Sequence, residues 1–207
     1  MNTLDLVRHG PVIPVIVLQR LEDAVPMARA LVEGGVKVLE VTLRTPVALA
    51  AMEAIARAVP EAIVGAGTVR NVADAKAAFS AGCRFAVSPG YLPSVGQACR
   101  EIGLPLLPGV ATGSEVMQAN ADGYDFLKFF PATAAGGIPM LKALAGPFPD
   151  VAFCPTGGIT PETAPQFLAL PNVKVCGGSW LTPAVSLAAR DWARITQLAR
   201  EAGALRA

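Results

Sequence analysis

Short apolar runs alternate along the chain with longer alanine-rich segments that carry apolar residues at helical spacing. Eight runs have the length and apolar content of buried strands: Val12 to Leu18, Val36 to Leu43, Ala62 to Ala66, Phe85 to Ser88, Pro105 to Pro108, Phe126 to Phe130, Val151 to Cys154 and Lys174 to Cys176. The segments between them that indicate amphipathic helices include Leu21 to Glu33, Pro46 to Ala58, Val72 to Ala81 and Pro161 to Ala169. Most end at a glycine or proline, which stops a helix.

This alternation predicts an α/β fold with a parallel sheet that helices cover. Nearly continuous apolar strands are typical of sheets buried on both faces, and a count of eight favours closure into a barrel. The 207 residues fall below the ~250 of a typical barrel. We therefore expect one domain over residues 1–207, a compact (β/α)8 TIM barrel with a short N-terminal helix. A doubly wound open sheet is the alternative, but Leu18-Gln19-Arg20 after the first strand lacks the dinucleotide glycine fingerprint.

Composition narrows the class of partner. Hydrophobic residues make up 53% of the chain and charged residues 16%, which suits one large core and excludes a disordered chain. The net charge of +1 provides no basic face for nucleic acid. No segment approaches the roughly 18–20 apolar residues of a membrane span, and the N-terminus lacks a signal-peptide core. A cytoplasmic protein that binds small molecules or copies of itself is predicted.

Cysteine and histidine usage argues against a metal site. Cys83, Cys99, Cys154 and Cys176 are far apart and have no metal-ligand spacing, so we interpret them as small buried residues. His9 is the single histidine and precedes the first predicted strand. A nucleophile–histidine pair is therefore not expected, nor is a histidine-rich metal site.

Lys128 lies in the apolar run Phe126 to Phe130. Lysine is rarely fully buried, and removing an ammonium group from water costs several kcal/mol, so such a group commonly gives up its proton. A neutral amine in a dry pocket can attack a ketone and form a Schiff base. The alternative is a lysine that packs its methylene groups and extends its charge to the rim.

Glu40 is the second ionisable group within an apolar strand. Strand alternation places it on the same face as Val38 and Thr42, so its carboxylate is expected to point into the barrel. Glu40 and Lys128 could simply form a buried ion pair. Alternatively, Glu40 is the general acid and base that serves the amine.

Two glycine pairs follow the seventh and eighth predicted strands, at Gly157-Gly158 and Gly177-Gly178. These are the usual phosphate-binding positions of such barrels, because glycine lets main-chain N–H groups approach an anion. Tight turns use glycine pairs equally often. Since both pairs fall where the fold predicts them, a phosphorylated ligand is expected.

Six motifs together resemble a known family. In chain order they are Glu40-Val41-Thr42-Leu43-Arg44-Thr45, Gly65-Ala66-Gly67-Thr68, Ser88-Pro89-Gly90, Lys128-Phe129-Phe130-Pro131-Ala132, Pro155-Thr156-Gly157-Gly158-Ile159 and Gly177-Gly178-Ser179-Trp180. Their order and spacing, from about Val12 to Pro183, resemble the KDPG/KHG aldolases, class I lyases that act on 2-keto-3-deoxy-6-phosphogluconate (KDPG).

The resemblance implies a role for each matching residue. Lys128 matches the Schiff-base lysine and Glu40 the proton-transfer glutamate. The expected substrate-binding residues are Arg44 and Thr68 for the carboxylate, Pro89 and Phe130 for the pyruvate pocket, and Gly157, Gly158, Gly178 and Ser179 for the phosphate. Arg20 stands where relatives often have lysine. The resemblance implies no metal or organic cofactor, and it implies a homotrimer.

The implied activity is cleavage of KDPG to pyruvate and glyceraldehyde 3-phosphate in the Entner-Doudoroff pathway. Three alternatives remain at this point. A related aldolase would cleave 4-hydroxy-2-oxoglutarate (KHG) to pyruvate and glyoxylate, either alone or as a second activity of the same site. A phosphosugar epimerase or isomerase would use Glu40 as its base without a covalent adduct. A non-catalytic module would bind a phosphorylated ligand and turn nothing over.

Overall fold

The computed structural model describes residues 2–205. Its strands are β1 (Val12–Ile16), β2 (Val38–Thr42), β3 (Ile63–Gly67), β4 (Phe85–Val87), β5 (Leu106–Leu107), β6 (Gly109–Val110), β7 (Phe126–Phe129), β8 (Ala152–Pro155) and β9 (Cys176–Gly178). Its helices are α1 (Ala24–Glu33), α2 (Ala48–Ala58), α3 (Val72–Ser80), α4 (Pro93–Glu101), α5 (Gly113–Ala121), α6 (Gly137–Ala145), α7 (Ala164–Leu168), α8 (Ala184–Ala189) and α9 (Trp192–Gly203). Short 3-10 helices occupy Thr3–His9 and Leu21–Asp23.

The strands form a closed parallel barrel. Six of them pair in the order β5-β4-β3-β2-β1-β9, and β6, β7 and β8 form the remaining arc. β5 lies within the predicted fifth strand, and β6 continues it beyond Pro108, whose ring nitrogen has no hydrogen to donate. A bridge between Thr156 and Gly177 joins the end of β8 to β9. The TIM-barrel prediction is confirmed, and the open doubly wound sheet is excluded.

Most strand boundaries differ from the predictions by one or two residues. β1 ends at Ile16 rather than at Leu18, and the fifth strand continues past Pro108 to Val110. β9 lies two residues later than predicted because Ile13 and Pro14 of β1 pair with Gly177 and Gly178. Glycine has a low intrinsic preference for strands, so this pairing was not visible in the sequence.

Residues alternate between two cores along each strand. Leu39 and Val41 of β2 pack outward in a cluster shared with α1 and α2. The inward positions form a separate cluster inside the barrel, whose members are Leu6, Ile13, Val38, Ile63, Phe85, Val87, Leu107, Phe126, Cys154 and Val175. Leu6 belongs to the Thr3–His9 helix, so the N-terminal helix contributes to the barrel interior. Because side chains fill this interior, the site is expected at the open end of the barrel, where the carboxyl ends of the strands converge.

Candidate active site

Lys128 and Glu40 enter the barrel from opposite walls. Lys128 is on β7 and Glu40 on β2, and three strands lie between them on either side of the ring once β5 and β6 are taken as one. Nζ of Lys128 lies 3.3 Å from Oε1 of Glu40, and each residue is only 3% exposed. Two buried opposite charges compensate each other's lost hydration. The pair brings an amine and a carboxylate within proton-transfer distance near the barrel axis.

Two inward-facing glycines of β3 make room for large side chains from the neighbouring strands. A Cβ atom on Gly67 would overlap the carboxylate of Glu40, and one on Gly65 would overlap the ring of Phe85. Glu40 can therefore cross the barrel above β3 only because position 67 has no side chain. The motif Gly65-Ala66-Gly67 thus positions the carboxylate.

The surroundings of the amine are largely apolar. Nζ lies 5.2 Å from the ring centroid of Phe130, within the range of a cation–π contact. Cys154 pairs with Lys128 in the β7–β8 register and is buried. Burial raises the pKa of the Cys154 thiol to about 12, although the charge of Lys128 opposes this shift. The thiol therefore stays protonated at neutral pH and does not compete with the amine as a nucleophile.

Arg44 and Thr68 meet at the mouth of the barrel, where Arg44 is exposed. Nε of Arg44 donates a hydrogen bond of 3.2 Å to Oγ1 of Thr68. Thr68 adopts φ of 62°, a left-handed conformation that a β-branched residue seldom adopts. Strained backbone of this kind is concentrated at binding and catalytic sites. The guanidinium group has donors left over for an anionic ligand such as a carboxylate.

A small cavity of about 110 Å³ connects Arg44 with the glycine loops. Phe130, Gly157, Gly158 and Ser179 also line it. Gly157 and Gly158 have φ of 101° and 76°, which favour glycine and turn the main chain after β8. The structure therefore gathers Arg44, Phe130 and most of the expected phosphate-binding residues around one opening.

Two expected site residues are placed differently. Gly178 is buried in β9, where a Cβ atom would overlap the ring of Trp180, and its neighbour Gly177 lines the cavity instead. Pro89 does not line this cavity. Its carbonyl group lies against Gly109, which pairs with Lys128 across β6 and β7. Pro89 thus shapes the wall behind the lysine.

Sequence reasoning assigned no role to Thr156 or Val15, which also line the cavity. Thr156 is buried, and its Oγ1 lies 3.8 Å from Sγ of Cys154. Thr156 lies in the motif Pro155-Thr156-Gly157-Gly158-Ile159, between the end of β8 and the glycine pair. That position was the one sequence feature that could have identified it as a site residue. Val15 pairs with Glu40 in the β1–β2 register. Its place at the site could therefore be predicted only once the pairing of these strands was known.

Residues 2–205 contain neither a metal-binding cluster nor a membrane-spanning helix. No cluster of three or more histidine, cysteine, aspartate or glutamate side chains in that range is arranged to hold a metal ion. The four cysteines are free and buried, as predicted. None of the helices formed by the described residues is long and apolar enough to cross a bilayer.

Comparison with known proteins identifies relatives over nearly the whole chain. Residues 4–198 match the family model described as KDPG and KHG aldolase. The KHG/KDPG aldolase of Escherichia coli strain K12 is 56% identical over 193 residues, which are 93% of this chain and 91% of the relative.

Two solved aldolase structures resemble this chain in both sequence and fold. A KDPG aldolase from Legionella pneumophila, with pyruvate captured as a covalent carbinolamine, has a TM-score of 0.93 at 48% identity and covers 96% of both chains. That of Zymomonas mobilis ZM4 with 3-phosphoglycerate has a TM-score of 0.93 at 49% identity, covering 98% of this chain and 95% of its own. With its fold, its buried Lys128–Glu40 pair and these matches, the chain belongs to the KDPG and KHG aldolase family.

Proposed function

We propose that this protein is a class I aldolase that cleaves KDPG to pyruvate and glyceraldehyde 3-phosphate. The observation that carries the proposal is the 3.3 Å contact between Lys128 Nζ and Glu40 Oε1 at the open end of the barrel. The Legionella pneumophila relative, whose pyruvate is held as a carbinolamine, supports covalent chemistry at an amine. A phosphosugar isomerase or a non-catalytic binding module has no use for such an adduct, so family membership argues against both.

Catalysis begins with proton transfer within the buried pair. Moving a proton from the Lys128 ammonium to Glu40 converts two charged groups into two neutral ones, so no net charge is left in the barrel. The neutral amine then adds to the C2 ketone of the substrate. Glu40 returns the proton as the carbinolamine loses water, which gives the iminium.

The iminium draws the electrons of the C3–C4 bond. Glu40, now a carboxylate, removes the proton of the C4 hydroxyl group as that bond breaks and glyceraldehyde 3-phosphate leaves. The electron pair stays on the pyruvate fragment as an enamine. Glu40 protonates its C3 carbon, and hydrolysis releases pyruvate and regenerates the Lys128 amine. One carboxylate suffices because each step returns the proton taken in an earlier one.

The substrate is held at both ends. Arg44, steadied by its hydrogen bond to Thr68, presents a planar group that suits the C1 carboxylate. Phe130 and Pro89 form apolar walls around the pyruvyl carbons. Gly157, Gly158 and Ser179 line the cavity that opens from this pocket, and Gly178 sets the main chain of the last loop. Main-chain N–H groups of these loops are proposed to bind the phosphate.

Cleavage of 4-hydroxy-2-oxoglutarate is a second candidate activity of the same site. The name of the Escherichia coli relative includes both substrates. The Schiff-base chemistry is identical, and only the phosphate contacts are lost. We therefore expect both reactions to require Lys128 and Glu40.

We also propose that the chain acts as a single-domain homotrimer. One continuous barrel spans the described residues, with no linker between separate cores. Several large apolar side chains are exposed, including Leu92 at 52% and Met117 at 64%, and self-association would cover them. Light scattering of the purified protein gives the subunit number directly.

Trapping with pyruvate and borohydride tests the aldolase mechanism. Intact mass should increase by one reduced pyruvyl group, and peptide mapping should place the group on Lys128. Lys128→Ala should remain unmodified, and Lys142→Ala, which removes a lysine of helix α6, should be modified like the wild type. An unmodified wild-type protein with an intact fold would eliminate the Schiff-base mechanism.

A further inference from the structure

A second cavity of about 630 Å³ lies beside the phosphate loops. Its walls are the segment after β1, residues 17–23, and the segment after β9, residues 179–190. Val15 and Ser179 line both this cavity and the smaller one that contains Arg44. The larger cavity is therefore continuous with the proposed phosphate end of the site, and Ser179 belongs to one of its two walls.

Arginine side chains make the hydrogen bonds between these two walls. Nε of Arg190 donates to Oδ1 of Asp23 at 2.9 Å, and its Nη2 donates to Oε1 of Glu22 at 3.0 Å. Nη2 of Arg20 donates to the carbonyl oxygen of Leu187 at 3.1 Å. Within the described part of the chain, no main-chain hydrogen bond links residues 17–23 with residues 179–190. The separation of the walls thus depends on side chains.

Asp23 is the centre of this arrangement. It is 3% exposed and lies between two arginines, since Nε of Arg20 also donates to its Oδ2 at 2.7 Å. Arg190 ends helix α8 with φ of 54°, a left-handed conformation that is uncommon outside glycine. A buried carboxylate with two arginine partners and a strained backbone position is a costly arrangement for a surface that only needs to be soluble.

We propose that Asp23, Arg20 and Arg190 form a clamp that positions the Ser179 loop and so sets the affinity for the phosphorylated end of the substrate. The inference rests on the proposed function, because it concerns the phosphate end of the same site. The three residues are positioning residues: they act through the loop, while the pyruvyl end is held by Arg44, which follows β2.

For Asp23→Asn, the loss of a negative charge and the loss of the clamp predict opposite changes in phosphate affinity. Removing a carboxylate adds one net positive charge near the phosphate loops, and Coulomb attraction alone would tighten the binding of an anion. Loss of the clamp instead releases the Ser179 loop and weakens the binding of the anion. Glu22→Gln removes the same charge from an exposed partner of Arg190 and leaves Asp23 in place, so it is the charge-matched control.

The test compares four quantities in the wild type and the variants: KM and kcat for KDPG, the dissociation constant of inorganic phosphate by calorimetry, and the half-saturating pyruvate concentration in borohydride trapping. For Asp23→Asn we expect KM and the phosphate constant to rise about tenfold, with kcat and the pyruvate value within about twofold of wild type. Glu22→Gln removes the same charge but keeps an oxygen that can accept from Arg190, so its KM and phosphate constant should stay unchanged or fall slightly. In Asp23→Asn, tighter or unchanged phosphate binding, or a rise in the half-saturating pyruvate concentration equal to the rise in the phosphate constant, would refute the clamp.

Arg190→Gly and Arg190→Lys cover the case in which Asp23→Asn does not fold. Glycine adopts φ of 54° without strain, so Arg190→Gly should fold and show the same rise in the phosphate constant. Lysine keeps a charge for Asp23 and should recover part of the loss. A wild type that binds phosphate but forms no pyruvate adduct would refute the proposed aldolase, whereas an adduct with unchanged phosphate affinity in Arg190→Gly would refute only the clamp.

Discussion

The substitution Gly67→Ala tests whether the position of Glu40, and not merely its presence, controls catalysis. A methyl group at position 67 would lie 2.7 Å from Cγ and 2.9 Å from Cδ of Glu40. Carbon atoms attract at about 3.5–4.0 Å, so the glutamate must withdraw by about 1 Å. A shift of this size displaces the carboxylate from its present contact with Lys128, which joins Oε1 and Nζ at 3.3 Å and is already near the limit of a hydrogen bond.

Proton transfer by a positioned side chain contributes about 10²–10⁴-fold to a rate, and a displacement of 1 Å can cost about 10²-fold. We therefore expect kcat of Gly67→Ala to fall about 10²-fold, because the carboxylate remains in the barrel but at the wrong distance. The assay couples pyruvate release to lactate dehydrogenase and follows NADH. Gly146→Ala is the control, since a Cβ atom there meets nothing within 4 Å.

A double-mutant cycle with Glu40→Gln isolates the cause. If the methyl group acts by displacing Glu40, then Gly67→Ala adds little to the loss already caused by Glu40→Gln, and the two effects are strongly non-additive. Full additivity would mean that the methyl group disturbs the site by another route. Wild-type kcat in Gly67→Ala would refute the reasoning altogether, because the structure leaves no space for both groups.

Three further predictions concern the carboxylate, the cysteines and the core. Arg44→Lys should raise KM for KDPG and for pyruvate about tenfold or more, because an ammonium group cannot bind a carboxylate through two parallel hydrogen bonds. KM values equal to those of the wild type would show that the carboxylate binds elsewhere. Burial raises the pKa of Cys83 and Cys154 to about 12 and that of Cys99 to about 11, so iodoacetamide at pH 8 should alkylate none of them in the folded protein and all of them in urea. Rapid labelling without urea would contradict their burial. Phe126→Ala should lower the free energy of unfolding by about 3–5 kcal/mol, measured by urea denaturation, because Phe126 fills the barrel below Lys128, whereas Phe79→Ala, at an exposed site, should cost under about 1 kcal/mol.

Much of the fold was predictable because the barrel repeats one local pattern. Each buried strand is an apolar run followed by an alanine-rich helix, and both periods are local properties of the sequence. The errors fall where pairing overrides local preference. Gly177 and Gly178 form β9 because β1 provides partners for them, and Pro108 splits the fifth strand while the chain direction continues.

The site was predictable in its residues but not in its geometry. Lys128 and Glu40 were conspicuous as ionisable groups within apolar strands, and the resemblance to the aldolases assigned them their roles. Their separation could not be predicted, because it depends on how two strands on opposite walls direct their side chains across the axis. Gly67 was part of a recognised motif, but its function of admitting Glu40 becomes clear only when β3 and β2 are side by side.

Local pattern and residue type were enough to predict the alternation of elements, the barrel class, the family resemblance and the two reactive groups. Long-range contacts, in contrast, place Gly177 rather than Gly178 in the cavity lining, add Thr156 and Val15 to it, and hold Asp23 between Arg20 and Arg190. Arg190 is 167 residues from Asp23 in the chain. Contacts at such separations arise from closure of the barrel, which brings the segments after its first and last strands together.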